Sequence, residues 1–138
     1  MIKSFCIIDD NAIDVYQVSR VVKKSGLVEK FYSFVDGQEA LDHFINLEDS
    51  QKKFDGYFPP NVILLDINMP RLDGFEFLEQ YSKLPNEVKG GLLIMMFTSS
   101  DQQKDKQRAS QFPEVKDFLI KPFNEKQLDK IVKLSESE

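Results

Sequence analysis

A chain of 138 residues, 41% of them hydrophobic, suits one domain with a substantial core, so we expect a single domain over residues 1–138 and no separate output domain. The formal net charge of −5 argues against a nucleic-acid-binding protein, because such proteins usually have a basic face. No apolar run of about 18 residues occurs, which argues against membrane insertion. The single cysteine, Cys6, excludes an intrachain disulfide and suits a cytoplasmic setting.

The first half of the chain alternates between apolar runs and amphipathic segments. Gly26 follows the first amphipathic segment, as a C-terminal cap glycine does. In the second amphipathic segment Leu41, Phe44 and Ile45 are predicted to share the inward face, and the polar stretch 48–60 is predicted to be a long surface loop. The predicted elements are strands at 2–8 and 28–35 and helices at 12–25 and 38–47.

The second half has more strongly apolar strands. The run Val62-Ile63-Leu64-Leu65 is typical of a strand buried on both faces. Residues 98–101, Thr-Ser-Ser-Asp, are of the types that cap helix N-termini. The predicted elements are strands at 62–67, 92–97 and 116–120, helices at 74–83, 102–111 and from 124 onward, and a frayed tail at 135–138.

Five strand–helix units in succession predict an α/β fold, a parallel sheet with helices on both faces. Right-handed crossovers place the C-terminal ends of all the strands at one edge, where ligands of such sheets bind. Polar residues end or follow four of the strands: Asp9, Asp10, Asp66, Thr98 and Lys121. We therefore expect these side chains to converge.

Carboxylates held together repel each other, and a hard divalent cation with oxygen ligands relieves that repulsion. Asp9, Asp10 and Asp66 are therefore predicted to hold Mg²⁺. An aspartate can also act as a nucleophile and form an acyl phosphate, and Asp66 ends the more apolar and more central of the two strands that lead to acids. Lys121 would supply positive charge to the phosphoryl oxygens, and Thr98 a hydroxyl hydrogen bond.

Each of these residues has a simpler interpretation when it is taken singly. The pair Asp9-Asp10 could cap the first helix, and Lys121 could be a solvated charge before a turn. Thr98 could cap a helix, alone or in addition to binding phosphate. The expected convergence of all of them favours the functional interpretation.

The chain resembles the receiver domain of bacterial two-component response regulators, of the single-domain type found among chemotaxis regulators. The resemblance implies a flavodoxin-like (βα)5 fold with strand order 2-1-3-4-5. It rests on motifs in the family's order: Ile7-Ile8-Asp9-Asp10-Asn11, Leu64-Leu65-Asp66-Ile67-Asn68-Met69-Pro70 with Asp73-Gly74, Phe97-Thr98-Ser99, and Lys121-Pro122-Phe123.

For the phosphorylation site and its metal ion, the resemblance implies the following roles. Asp66 would accept a phosphoryl group from a sensor histidine kinase or a histidine phosphotransfer protein. Asp10 and Asp66 would ligate Mg²⁺ directly. Asp9 would act mainly through water, and Asn68 through its backbone carbonyl.

For the switch, the resemblance implies that Thr98 and Lys121 bind phosphoryl oxygens after transfer. Phe118 would turn inward as Thr98 moves, although it could also be an ordinary core residue. The bond before Pro122 would be cis. Asn68 and Ser100 flank the site and are expected to influence hydrolysis of the phosphate.

The expected function is that of a stand-alone phosphoacceptor, which is no enzyme beyond its own phosphorylation and dephosphorylation. It would signal through a surface change that a downstream protein recognises, or by phosphorelay. The polar helix at 102–111 departs from the family pattern on the output face, so the sequence does not specify the partner. Alternatives are a phosphorylation-independent scaffold and an Asp-nucleophile phosphohydrolase. The latter class has a second acid where Asn68 stands, and Asn cannot shuttle a proton.

Overall fold

The computed structural model describes residues 1–89, 91–99 and 102–137. Five strands and seven helices alternate along this part of the chain. They are β1 (Ile2–Ile8), α1 (Ala12–Ser25), β2 (Val28–Phe34), α2 (Gly37–Ile45), α3 (Leu47–Lys53), β3 (Val62–Asp66), α4 (Gly74–Ser82), α5 (Asn86–Lys89), β4 (Leu93–Thr98), α6 (Gln103–Ala109), β5 (Val115–Ile120) and α7 (Glu125–Glu136).

The strands form one parallel sheet in the order β2-β1-β3-β4-β5, which confirms the predicted topology. Every residue of β3 and β4 is buried, as their continuous apolar runs indicate. The edge strands β2 and β5 mix buried and exposed positions. Asp66 is aligned with Phe97 in the neighbouring strand, which brings the ends of β3 and β4 side by side.

Two apolar cores lie on opposite faces of the sheet. One includes buried residues of α2, α4 and α6, and the other includes buried residues of α1 and α7. Alternate residues of the central strands serve the two cores: Leu65 belongs to the first, and Leu64 to the second. Because both faces are covered, the polar strand ends are confined to the sheet edge.

The predicted loop at 48–60 was wrong in its first part, where α3 lies. Asn46 ends α2 by donating from its backbone and side-chain nitrogens to the Asp42 carbonyl, at 3.0 and 2.9 Å. The Ser50 hydroxyl then donates to the carbonyl of His43 at 2.7 Å, which ties α3 back to α2. Ile45, predicted to face inward, is 58% exposed, because it lies at the margin of the helix face that Ala40, Leu41 and Phe44 bury.

Other boundaries shift by a few residues. β2 ends at Phe34, so Val35, predicted to be part of the strand, is 57% exposed. The short helix α5 was not predicted. α7 continues through Glu136, so the predicted frayed tail begins too early. Gly26 ends α1 with φ of +69°, which confirms the predicted cap.

The predicted cap residues Ser100 and Asp101 lie outside the described residues. α6 begins after Gln102, two residues beyond them. Among the described residues, no helix is both long enough and apolar enough to span a membrane.

Candidate functional site

The three predicted acids meet at the carboxyl edge of the sheet. Asp9 and Asp10 follow β1, Asp66 ends β3, and carboxylate oxygens of all three lie within 4.8 Å of one another. Asp9 and Asp66 are buried, whereas Asp10 is exposed at the mouth of the site. Carboxylate oxygens are the ligands that Mg²⁺ prefers, so the group fits a hard divalent cation.

Asp9 is held in place by donors on both of its oxygens. The Asn11 backbone N–H donates to Oδ1 at 2.9 Å, and the Lys121 ammonium donates to Oδ2 at 2.9 Å. The cap of α1 is Asn11, whose side chain accepts from the backbone N–H groups of Ile13 and Asp14. The alternative in which Asp9-Asp10 caps the helix is therefore wrong.

Burial and a charged neighbour disfavour the ionised form of Asp66. Desolvation is the larger cause and the Asp9 carboxylate the next, and together they raise the pKa of Asp66 to about 7. The Lys121 charge and a backbone hydrogen bond from Asn68 lower the pKa but do not offset the rise. A bound cation would stabilise the ionised carboxylate, so the site is electrostatically incomplete with Lys121 alone.

Lys121 contacts three acids at once. Its Nζ lies 2.7 Å from Asp14 Oδ2, 2.9 Å from Asp9 Oδ2 and 3.6 Å from Asp66 Oδ1. Burial would lower the pKa of Lys121, but the hydrogen bonds to Asp14 and Asp9 and the Asp66 charge leave the pKa raised. The ammonium is thus a fixed positive charge, and the interpretation as a solvated surface lysine is wrong.

Asp14 is a site residue that the sequence analysis missed. It lies in the first turn of α1, four residues after Asp10, and lines the same cleft. The spacing of four residues was not a usable signal, because the rule that residues four apart share a face holds only when both are helical. Since the helix begins only after Asn11, the relation of Asp14 to the acids before it became clear in the structure alone.

Thr98 is buried at the end of β4, and its backbone carbonyl accepts a hydrogen bond from the Lys121 backbone N–H at 2.7 Å. Thr98, Asn68 and Lys121 line a cleft of about 510 Å³ with the acids Asp10, Asp14 and Asp66. The predicted convergence is therefore confirmed. The Lys121-Pro122 bond is cis, also as expected.

Phe118 is placed apart from this cleft. It is half-buried on β5, packs against the core on the α2, α4 and α6 face, and pairs with Met96 of β4. The Lys106 ammonium of α6 lies 5.8 Å from the centroid of its ring. Phe118 is thus between the strand that ends at Thr98 and the surface of α6.

The loop between β3 and α4 is held at two places. At its C-terminal end, the Gly74 N–H donates to the Ile67 carbonyl at 2.9 Å, and Asp73 and Glu76 form a reciprocal capping box. In its interior, the Arg71 guanidinium binds the two oxygens of buried Asp36 at 2.7 and 3.0 Å. Arg71 has a φ of +65°, in the left-handed region.

The Response regulator receiver domain family model matches residues 5–133. This chain belongs to that family. The match includes the three acids, Thr98 and Lys121, so the receiver domain motifs and the cleft described above coincide. Because the family is defined over nearly the whole chain, the resemblance noted in the sequence is confirmed.

Known relatives agree with this assignment. The receiver is 30% identical over 135 residues to response regulator Rcp1 from Synechocystis sp., covering 98% of this chain and 87% of that protein. The crystal structure of Mn²⁺-bound Rcp1 superposes with a TM-score of 0.70 at 29% identity, covering 98% and 92%. A two-component response regulator from Cytophaga hutchinsonii has a TM-score of 0.86 at 23% identity, covering 99% and 98%, which supports the flavodoxin-like fold.

Proposed function

We propose that this receiver accepts a phosphoryl group on Asp66 from a sensor histidine kinase or a histidine phosphotransfer protein in a Mg²⁺-dependent reaction. The observation that supports this most directly is the position of Asp66, buried beside Asp9 and near exposed Asp10, with a lysine ammonium 3.6 Å away. An ionised carboxylate in that place is a nucleophile that needs no general base.

The side chains fit a magnesium ion in a specific way. Asp10 and Asp66 have oxygens for direct ligation, and the backbone carbonyl of Asn68 would add a third ligand. Both oxygens of Asp9 already accept hydrogen bonds, which favours a role for Asp9 through water. Mg²⁺ would supply positive charge that offsets the carboxylates and the phosphoryl oxygens. The Mn²⁺ in the Rcp1 structure supports a divalent cation here.

The transfer itself moves one phosphoryl group. An Asp66 carboxylate oxygen forms a bond to phosphorus as the bond from phosphorus to the donor imidazole nitrogen breaks, and that nitrogen leaves with the electron pair. Lys121 and the Thr98 hydroxyl then bind phosphoryl oxygens. The open cleft and exposed Asp10 leave room for the donor.

Signal output would follow from the same contacts. Drawing Thr98 toward the phosphoryl group alters the end of β4, and Phe118 on the adjacent strand would turn inward as part of the change. The surface of β5 and α6 would then be recognised by a downstream protein, or the phosphoryl group would pass to another phosphotransfer protein. Cys6, the single cysteine of the sequence, is free and buried, which supports a cytoplasmic setting.

The test is intact-mass analysis after incubation with acetyl phosphate, with Mg²⁺ and with EDTA. We expect one phosphoryl adduct that requires the metal and is lost in Asp66→Asn. Asp129→Asn is the matched control, because it removes the same charge at an exposed position on α7. Phosphoramidate, which mimics the phosphorus–nitrogen bond of phosphohistidine, serves as a second donor. No adduct from either donor, or an adduct retained in Asp66→Asn, would refute the proposal.

A further inference from the structure

We propose that Asp14 is a positioning residue that holds the Lys121 ammonium away from Asp66 before phosphorylation and so slows phosphoryl uptake. This inference rests on the proposed function, because it concerns the rate of transfer to Asp66. It assigns a role to a side chain on α1 that is not one of the acids proposed to bind the metal.

The distances around the Lys121 Nζ show which acids receive its hydrogen bonds. An ammonium has three hydrogen-bond donors. Two of them go to Asp14 at 2.7 Å and Asp9 at 2.9 Å, and Asp66 at 3.6 Å is too distant for a hydrogen bond. The acid that would receive the phosphoryl group is therefore the one of the three to which the lysine donates no hydrogen bond.

The ion pair between Lys121 and Asp14 is largely shielded from solvent. The side chains of Lys121 and Asp14 are only 12% and 21% exposed, so water and salt screen the pair less than a surface pair. The backbone of Asp14 is fixed as well, since its N–H donates to the Asn11 cap side chain. A carboxylate in the first turn of a helix is further stabilised by the helix dipole.

The positive charge of Lys121 is therefore shared between its carboxylate partners and the transferring phosphoryl group. An ammonium bound to two other carboxylates stabilises less of the negative charge that develops on the transferring phosphoryl oxygens. Only the third donor of Nζ remains for that group, so Asp14 competes with the group for the charge of the ammonium. Removing the Asp14 charge frees the ammonium for the Asp66 side of the cleft, and uptake becomes faster. The same removal lowers the negative charge of the cleft and weakens Mg²⁺ binding.

The experiment is a double-mutant cycle with Asp14→Asn, Lys121→Gln and the double variant. Uptake from acetyl phosphate is measured by intact mass at a Mg²⁺ concentration that saturates each variant. We expect Asp14→Asn to accelerate uptake by about threefold or more, and to have almost no effect when Lys121 is already Gln. Asp129→Asn should leave the rate unchanged.

A second readout does not depend on phosphorylation. Urea unfolding of the same four proteins in EDTA should show non-additive changes, since the contact exists without metal. It also verifies that each variant folds. Unchanged or slower uptake in Asp14→Asn, an equal acceleration in the Lys121→Gln background, or additive unfolding would each overturn the inference. If the wild type takes up no phosphoryl group, the proposed function fails. If the wild type is phosphorylated but Asp14 and Lys121 show no coupling in the cycle, only this inference fails.

Discussion

Gly74 packs directly on the backbone of Asp66. A Cβ at Gly74 would overlap the carbonyl oxygen of Asp66 and would lie 3.0 Å from the Cα of Ile67. The start of α4 and the end of β3 are therefore in backbone contact, and the backbone of Asp66 packs against a residue eight places further along the chain.

Gly74→Ala should displace the end of β3. We expect a loss of about 1–3 kcal/mol in the free energy of unfolding and a reduced rate of phosphoryl uptake, because the new methyl group meets backbone atoms that cannot rotate away. Urea unfolding and intact mass measure the two effects. Gly91→Ala is the control, since a Cβ there meets nothing within 4 Å. Equal effects of the two substitutions would contradict the prediction.

Arg71→Gln should loosen the loop that follows Asp66. The hydrogen bond from Arg71 is the main reason that the pKa of buried Asp36 is lowered, so the pair stabilises the fold where Asp36 is ionised. A lowered folded-state pKa means that this stability is present above the unfolded pKa, about 4, and is lost as the pH falls through the folded value.

The measurement is the urea midpoint of wild type and Arg71→Gln from pH 7 down to pH 3. The variant should be less stable at pH 7, and the difference should shrink in acid as Asp36 is protonated. Lys126→Gln removes a charge at an exposed site on α7 and should show no such convergence. A difference that is constant with pH would mean that Arg71 stabilises the loop by packing alone.

Metal-free stability should fall with rising pH because of Asp66. Its folded-state pKa of about 7 lies above the ordinary value, so the folded protein holds a proton that the unfolded chain has released. The stability from this group is fully present below about pH 4 and is lost as the pH rises to about 7. Asp66→Asn should therefore be more stable than wild type at pH 8 by an amount of order 2 kcal/mol.

Urea unfolding in EDTA at pH 5 and pH 8 measures this effect. The advantage of Asp66→Asn should be smaller at pH 5, where wild-type Asp66 is mostly protonated. Added Mg²⁺ should stabilise the wild type at pH 8 and have less effect on the variant. An advantage of the same size at both pH values would show that ionisation of Asp66 is not its cause.

Asp10→Ala should weaken Mg²⁺ binding without damaging the helix that follows. The exposed carboxylate of Asp10 is a candidate ligand, and Asn11 provides the helix cap, so we expect about a tenfold loss of affinity and equal or higher metal-free stability. The Mg²⁺-dependent rise in melting temperature measures the affinity. A clear loss of metal-free stability would assign Asp10 a structural role instead.

Much of the fold and the site could be predicted because the signals are local. The runs before Asp9 and Asp66 are apolar enough to predict buried strands, and parallel strands end at one edge of a sheet. The helix α3 was missed because its apolar contacts are tertiary: Phe54, just after it, stacks on Tyr32 at 4.6 Å between ring centroids. The periodicity of a short polar segment cannot reveal a contact with a residue that is distant in sequence.

The sequence by itself determined the parallel sheet, the convergence of the three acids with Thr98 and Lys121, and the C-terminal cap of α1 at Gly26. These depend on strand polarity and on residue types at the ends of elements, whereas the strand order came from the resemblance to the family. Only the tertiary structure decided which acids Lys121 binds and how the loop after Asp66 is held. Those contacts join residues 107 positions apart, for Lys121 and Asp14, and 35 apart, for Arg71 and Asp36. Pairing over such distances is determined by how elements pack, which no local pattern specifies.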